Sequence, residues 1–414
     1  MCPSRRAGAC SGATSYRGMP GVSSASVVVG GGGPAGAAAS LALARRGLRA
    51  VVLEARPSPQ TKVGETLPPN ANPLLDALGL TERLRRAGNL PSYGNRFLWG
   101  SDAPAERDFI YGTNGAGWRL DRRVFEAELA AAAVEAGADW RYGYRLRGCS
   151  RDGRWGWRLE AQSPRGLETF RADFVLDASG RAARLARLLG ARRVLYDGLV
   201  GVAVYLGPGA DPDSFTLVEA VASGWWYSAR LPGRKLIAVY MTDGDLLERE
   251  AARTTRGWTA LLREAVHTAR RVGNVEGVDA ARPRVLPAQT SRLTKVAGEG
   301  WLAVGDAAIA YDPLASHGIT TALGTGLHAA DAVCEWLGGG RDAPGAYTSL
   351  IDRVFARYLL MRREIYLAER RWPGEPFWRR RHSPGEGRGR RGPEFSAPAQ
   401  TGRGRFPMTG EVQR

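Results

Sequence analysis

Lysine is nearly missing from this chain: only Lys62, Lys235 and Lys295 occur among 414 residues. The formal charge of +17 is therefore carried by arginine. Much of the excess lies near the C-terminus, at Arg379 to Arg381, Arg388, Arg390, Arg391, Arg403 and Arg405. A nucleic-acid binder places its cations along a track that phosphates can follow. An arginine excess gathered in a tail instead reads as an imprint of genomic base composition, and no nucleic-acid partner is expected. Cysteine is scarce as well, and Cys2, Cys10, Cys149 and Cys334 have neither metal-ligand spacing nor the density of a disulfide framework. That fits a reducing cytoplasm. No apolar run approaches the roughly 18 residues that span a bilayer, so no membrane span is expected. The four histidines and the scattered acids suggest no metal site and no nucleophile–base pair.

What the chain does have is glycine, in two informative places. The first is ASVVVGGGGPAGAAASLALARRGLRAVVLEA, residues 25–55. An apolar strand at 25–30, a small-residue helix from Ala35 to Arg46 and a second strand from Ala50 to Leu53 give a βαβ opening. Gly31, Gly33 and Gly36 form G-x-G-x-x-G at its first turn. The first glycine allows the sharp turn, the second lets a pyrophosphate approach the backbone, and the third lets helix and strand pack closely. Free N–H groups at the helix start suit the anion. Glu54 closes the second strand, where a carboxylate accepts ribose hydroxyls and repels a 2′-phosphate.

The second is GWLAVGDAAIAYDPLASHGITTALGTG, residues 300–326. Asp306 follows a short apolar strand at 301–305, where its carboxylate is placed for ribityl hydroxyls. Gly318 opens a helix whose N–H groups suit the pyrimidine edge of a flavin, which turns negative on reduction. The two segments together point to FAD. No second nucleotide fingerprint is present, so the electron donor is either transient NAD(P)H or a separate flavin reductase.

Between them the pattern changes. LDRRVFEAELAAAAVEAG reads as a helix with Val124, Leu129 and Val134 on its apolar face. Residues 198–242 alternate as strands do, which suggests a second, more antiparallel layer over the cofactor. Tyr347 to Arg370 reads as a helix with Ile351, Val354, Phe355, Tyr358, Leu359 and Ile365 inward. The expected fold is α/β: a Rossmann-like, parallel-sheet FAD-binding domain assembled from 25–95, 113–190 and 290–345, a mixed or antiparallel substrate domain from 96–112 and 191–289, and a C-terminal helix at 346–372. Residues 1–24 and a basic tail at 373–414 are expected to be mostly disordered, with little order after Arg381.

VVVGGGGPAG, KVGETLPP, LDRRVFEAEL, VLDASGR and GDAAIAYDPLASHGITTAL occur in this order. The series resembles the flavoprotein monooxygenases of the para-hydroxybenzoate-hydroxylase fold, and within them the tryptophan-halogenase-like branch. The resemblance implies FAD contacts at Gly31, Gly33, Gly36, Glu54, Arg122, Gly180, Asp306 and Gly318. Three departures bear on activity. Tryptophan halogenases hold hypohalous acid on a lysine, and the corresponding stretch here, YGNRFLWGSD, has none. They carry a glutamate where this chain has Ala315, and GWWYSARLP replaces their W-x-W-x-I-P segment. The pattern from Tyr311 to Ile319, with Gly224 to Tyr227, is more similar to flavoprotein maturases of quinone-cofactor amino-acid oxidases. That similarity implies oxidation of a tryptophan in a precursor protein.

The chemistry expected is FAD-dependent oxygenation of an electron-rich aromatic group, with the protein positioning the ring and excluding water. Trp225, Trp226 and Tyr227 are candidates for lining the substrate pocket or for filling a core. His317, just before the helix start, and Glu65, in KVGETLPP, are candidates for proton handling. Rival readings are a halogenase, a non-catalytic FAD-binding chaperone for a partner oxidase, and a reductase of isoprenoid double bonds on the same fold.

Overall fold

The computed structural model describes residues 22–383 apart from 154–155, 208–212, 249, 251–252 and 274–281. The expectations for residues 1–21 and for the tail beyond 383 lie outside the described residues. The opening strand, Val22–Gly30, starts three residues earlier than its apolar run suggests, because Val22, Ser23 and Ser24 continue the ladder with Thr169, Phe170 and Arg171. Val27, Val28 and Val29 are all fully buried, as expected of a parallel strand covered on both faces.

That strand lies between Gly166–Asp177 and Ala50–Glu54, parallel to both. Trp301–Ala303 and Asp139–Tyr142 extend the parallel core on either side. Arg145–Asp152 and Gly156–Ser163 add antiparallel strands to the sheet. Helices Pro34–Arg45 and Gly318–Leu337 pack face to face over it. Helix Arg122–Glu135 joins them through Phe125, Leu129, Ala132 and Ala133, not through Val124 and Val134. Val134 is half exposed, because the i, i+4, i+7, i+8 stripe that starts at Phe125 faces the sheet and Val134 stands off it.

A second, seven-stranded sheet orders its strands as Arg284–Pro287, Leu199–Leu206, Leu236–Asp243, Gly224–Arg230, Thr216–Val221, Gly94–Leu98 and Ala105–Asp108. It is antiparallel except where Thr216–Val221 runs parallel to Gly94–Leu98. The second sheet therefore takes residues 94 and 95, which the sequence reading put in the first domain. Arg193–Leu195 pairs instead with Ser291–Leu293, so the sheet resumes only at Leu199. One face of this sheet is covered by helices Thr255–Leu262 and Val266–Gly273. A break separates the two, where the Glu264 and Ala265 amides bond back to the Leu261 and Leu262 carbonyls.

The other face meets helix Ala343–Ala368 and the short helix Pro376–His382. Tyr347, Ile351, Phe355, Tyr358 and Tyr366 are among the buried residues of the long helix, while Val354 faces outward. The segment read as tail begins with this packed helix: Phe377 and Trp378 are buried, and Arg380 and Arg381 pair with Asp243. Among the described residues no helix is long and apolar enough to cross a membrane, and no His/Cys/Asp/Glu cluster could hold a metal.

Candidate functional site

Gly31 takes φ +117, and a Cβ there would lie 2.4 Å from the Ala178 carbonyl oxygen. A Cβ on Gly36 would lie 2.0 Å from the Gly31 carbonyl oxygen. Both positions accept nothing larger than hydrogen. Gly33 differs: nothing stands within 4 Å of where its Cβ would be. It precedes helix Pro34–Arg45, whose N-terminus has no side-chain cap. Here the protein leaves space and free N–H groups together. Glu54 is fixed beside it, accepting from the Gly32 amide at 2.7 Å and the Arg56 amide at 2.9 Å.

The downstream segment meets this cradle directly. Gly305, at φ +56, backs onto Ala35, and the Gly305 amide donates to Thr325 Oγ1 at 2.9 Å. Next to it the Asp306 side chain is 40 % exposed, looking into the cleft, although burial raises its pKa against the pull of Arg181, Arg193 and Arg122. Arg181 Nε lies 3.6 Å from the Asp306 carboxylate, and its other nitrogens donate to the Gln289 and Tyr311 carbonyls. Arg193 donates to the carbonyls of Asp306 and Ala307, and burial lowers its pKa to about 10. Gly180, at φ +65, opens the turn that presents Arg181, with free space beside it. Gly318 is likewise unobstructed and starts a 20-residue helix without a side-chain cap.

Glu65 lies on the sheet side of the cleft. It is buried, accepting from the Tyr205 hydroxyl at 2.5 Å and from the Gly64 amide at 2.8 Å. Burial raises its pKa against both hydrogen bonds and against Arg122. Arg122 is held between the Val63 and Gly64 carbonyls and Glu126. It therefore links the Glu65 loop to the cleft of Asp306 and is not a surface arginine of its helix. Arg119 is fully buried, donating to Thr66 Oγ1 and the Ser214 carbonyl, and burial lowers its pKa to about 9. His317 is partly buried, its imidazole has no hydrogen-bond partner among the described residues, and burial and Arg357 lower its pKa. No hydrogen bond joins it to Glu65.

The GWWY segment is divided by strand alternation. Trp226 faces away from the cleft and packs on Trp258 and Tyr240 under the covering helices. Trp225 faces inward but is 1 % exposed, closed over by Trp99 and bonded to Tyr366. Neither has surface to offer a pocket, so of the two roles open to them in the sequence both fill cores, and their placement as pocket residues is corrected. Tyr227 alone is partly exposed, and it shares its surroundings with Glu65, Tyr205 and Arg119.

The FAD binding domain family matches residues 24–345 of this chain. The chain belongs to that family. It is a flavoprotein, an FAD-dependent oxidoreductase with FAD as its cofactor. It is 30% identical over 366 residues to LodB of Marinomonas mediterranea, described as a proposed FAD-dependent oxidoreductase, covering 86% of this chain and 96% of that one. It is 25% identical to the flavin-dependent halogenase armH3 of Armillaria mellea, over 83% and 74%. Two solved structures share the fold. One is the myxobacterial chondrochloren halogenase CndH, at TM-score 0.79 and 22% identity over 88% and 87%. The other is the peptidyl tryptophan dihydroxylase QhpG, essential for tryptophylquinone cofactor biogenesis, at TM-score 0.72 and 24% identity over 87% and 79%.

The flavoprotein's residues fit the cofactor by their own chemistry. Gly33 and Gly318 leave free the space that a Cβ would fill, each at an uncapped helix start. Glu54 supplies a carboxylate beside the first helix start, and Asp306 a second one next to Gly305, which packs on Ala35 of that helix. Sequence reasoning missed Arg181, Arg193, Tyr205 and Arg119. Arg181 stood in the quoted VLDASGR and was open to notice, whereas nothing local marks Tyr205 or Arg119 among the chain's many tyrosines and arginines.

Proposed function

We propose that this flavoprotein oxygenates an electron-rich aromatic ring, a tryptophan of a partner oxidase precursor on its way to a quinone cofactor. One observation carries the reading: the cations facing Glu65, Tyr205 and Tyr227 are arginines, and no lysine stands among them. Lys62 pairs with Glu126 in the pocket of Glu54, Lys295 lies over Trp301, and Lys235 is exposed after the turn at Pro232–Arg234. A halogenase of the lysine-dependent kind has no ammonium here on which to hold its oxidant. The likeness to QhpG is one of fold, and it supports a scaffold that admits a peptidyl tryptophan.

Bound and reduced, FAD supplies oxygen activation. Gly33 at the uncapped helix start would receive the pyrophosphate, with Gly31 and Gly36 shaping the turn; Glu54 would hold the adenosine ribose and Asp306 the ribityl chain. The Gly318 helix start favours negative charge on the ring system. Glu65 Oε1, in its hydrogen bond with Tyr205, takes and returns the proton that the ring releases. His317, kept neutral, offers one donor and one acceptor at the helix mouth. Tyr227 orients the incoming ring.

The test combines the FAD-loaded chain, a flavin reductase with NADH, oxygen and the precursor protein, and reads tryptophan mass. Added oxygen is expected, with no brominated product when bromide is present. Bromination would restore the halogenase reading. Oxygen consumed with tryptophan mass unchanged would remove the proposal.

A further inference from the structure

From Tyr227 a continuous aromatic path runs behind the cleft through residues that the proposed reaction does not use. Tyr227 and Trp225 have ring centroids 6.4 Å apart. Trp225 Nε1 donates to Tyr366 Oη at 3.2 Å, and Trp99 stands 6.4 Å from Trp225 and 5.9 Å from Tyr366. Trp378 follows at 5.3 Å from Trp99, and Trp372 at 6.2 Å from Trp378. Tyr227 is partly exposed at one end and Trp372 at the other, with Trp225, Tyr366 and Trp378 fully buried between them. The two ends of the path come from the second sheet and from the connection between the two C-terminal helices, segments far apart in the sequence.

Packing alone accounts for the rings. It does not account for the Tyr366 hydroxyl. That hydroxyl donates to the buried carboxylate of Asp312 at 2.6 Å while accepting from Trp225. A phenol gives up an electron readily only if its proton has somewhere to go, and Asp312 Oδ2 is that place. The cations nearby decide where an electron vacancy settles. Arg362 and Arg381 each lie 5.0 Å over the Tyr366 ring, and Arg371 lies 4.3 Å over Trp372. They penalise a positively charged tryptophan radical. They do not penalise a tyrosyl radical made neutral by losing its proton.

We propose that Tyr366, coupled to Asp312, is a redox-active tyrosine that drains oxidising equivalents from the flavin cleft through Tyr227 and Trp225. In the step, an oxygen-derived radical formed in the flavin cleft, of the hydroxyl class, gains one electron and takes up a solvent proton to become water. Tyr366 loses one electron, and its Oη proton passes to Asp312 Oδ2. Electron and proton return by the same route when the flavin is reduced again. An oxygen-activating enzyme whose substrate is a whole protein meets oxygen with its cleft empty, and this path gives stray oxidising equivalents a defined sink.

The test uses the full chain loaded with FAD, in which a light flash makes the oxidised flavin a one-electron acceptor. Transient absorbance and freeze-trapped electron paramagnetic resonance should show a tyrosyl radical whose formation slows in D2O. Tyr366→Phe should lose that signal and leave a shorter-lived tryptophan radical. Trp225→Phe should slow its formation. Trp226→Phe, on the opposite sheet face, should leave it unchanged, and flavin absorbance with thermal melting confirms that each variant is loaded and folded. Two outcomes overturn the proposal: no tyrosyl radical in the loaded wild-type protein, or the same radical in Tyr366→Phe.

Discussion

A Cβ placed on Gly326 would lie 2.5 Å from the Ala35 carbonyl oxygen and 3.0 Å from Ala38 Cβ. Helix Gly318–Leu337 thus rests its backbone on helix Pro34–Arg45, and this contact sets the two halves of the FAD cleft against each other. Gly326→Ala should therefore separate both helices, costing about 1–3 kcal/mol of stability as overpacking does. It should weaken FAD binding as well. Gly33→Ala clashes with no protein atom. It should keep the apo melting temperature while FAD affinity falls about tenfold, or ~1.4 kcal/mol. Calorimetric melts and FAD titrations on both variants separate the two roles.

Glu65 supplies a pH signature. Its pKa is raised in the folded protein by burial. Below the unfolded value the carboxyl is protonated in both states and imposes no penalty. As pH rises above that value the unfolded state ionises first, so stability falls until the folded pKa is passed. Urea midpoints measured from pH 4 upward should fall less steeply in Glu65→Gln than in the wild-type protein. Parallel curves would show that Glu65 titrates normally.

Tyr205→Phe removes the hydroxyl that donates to Glu65 and leaves one oxygen of a buried carboxylate without that donor. The expected loss is about 1–3 kcal/mol, with the Glu65 pKa moving further up. If Glu65 handles the proton, the pH–rate profile of oxygenation shifts to higher pH by the same change, while FAD affinity stays put.

Arg362 bridges Asp197 at 2.9 Å and Asp312 at 3.4 Å, both buried. Arg362→Met leaves two carboxylates without this cation and should cost about 3–5 kcal/mol at neutral pH. Burial already raises the Asp197 pKa, and the Arg362 charge is the strongest influence opposing that rise. Without the arginine the carboxyl should protonate more readily, so the deficit should shrink toward pH 5. Denaturant melts at pH 5 and pH 7 check the difference.

Trp226→Ala and Tyr227→Phe form a matched pair on adjacent residues of one strand. Trp226 is fully buried against Trp258 on the outer face. Its loss should cost about 3–5 kcal/mol and leave the flavin spectrum unchanged in the protein that remains folded. Tyr227→Phe should melt like the wild-type protein and perturb the flavin spectrum or substrate binding.

The sequence by itself determined the βαβ opening, the glycine pattern, Glu54 and Asp306. These depend on local periodicity and on turns whose sterics admit only glycine, which are properties of contiguous residues. Only the tertiary structure decided which aromatic of GWWY meets the cleft, because alternation divides a strand's residues between two faces without saying which face is covered by what. It alone decided that Arg122 is buried between Gly64 and Glu126, and that Tyr205 completes Glu65. It also decided that Phe377 and Trp378, in a segment whose composition reads as tail, close the second core. Composition measures how readily a segment could be solvated. Whether it is solvated depends on the apolar surface that the rest of the chain leaves uncovered.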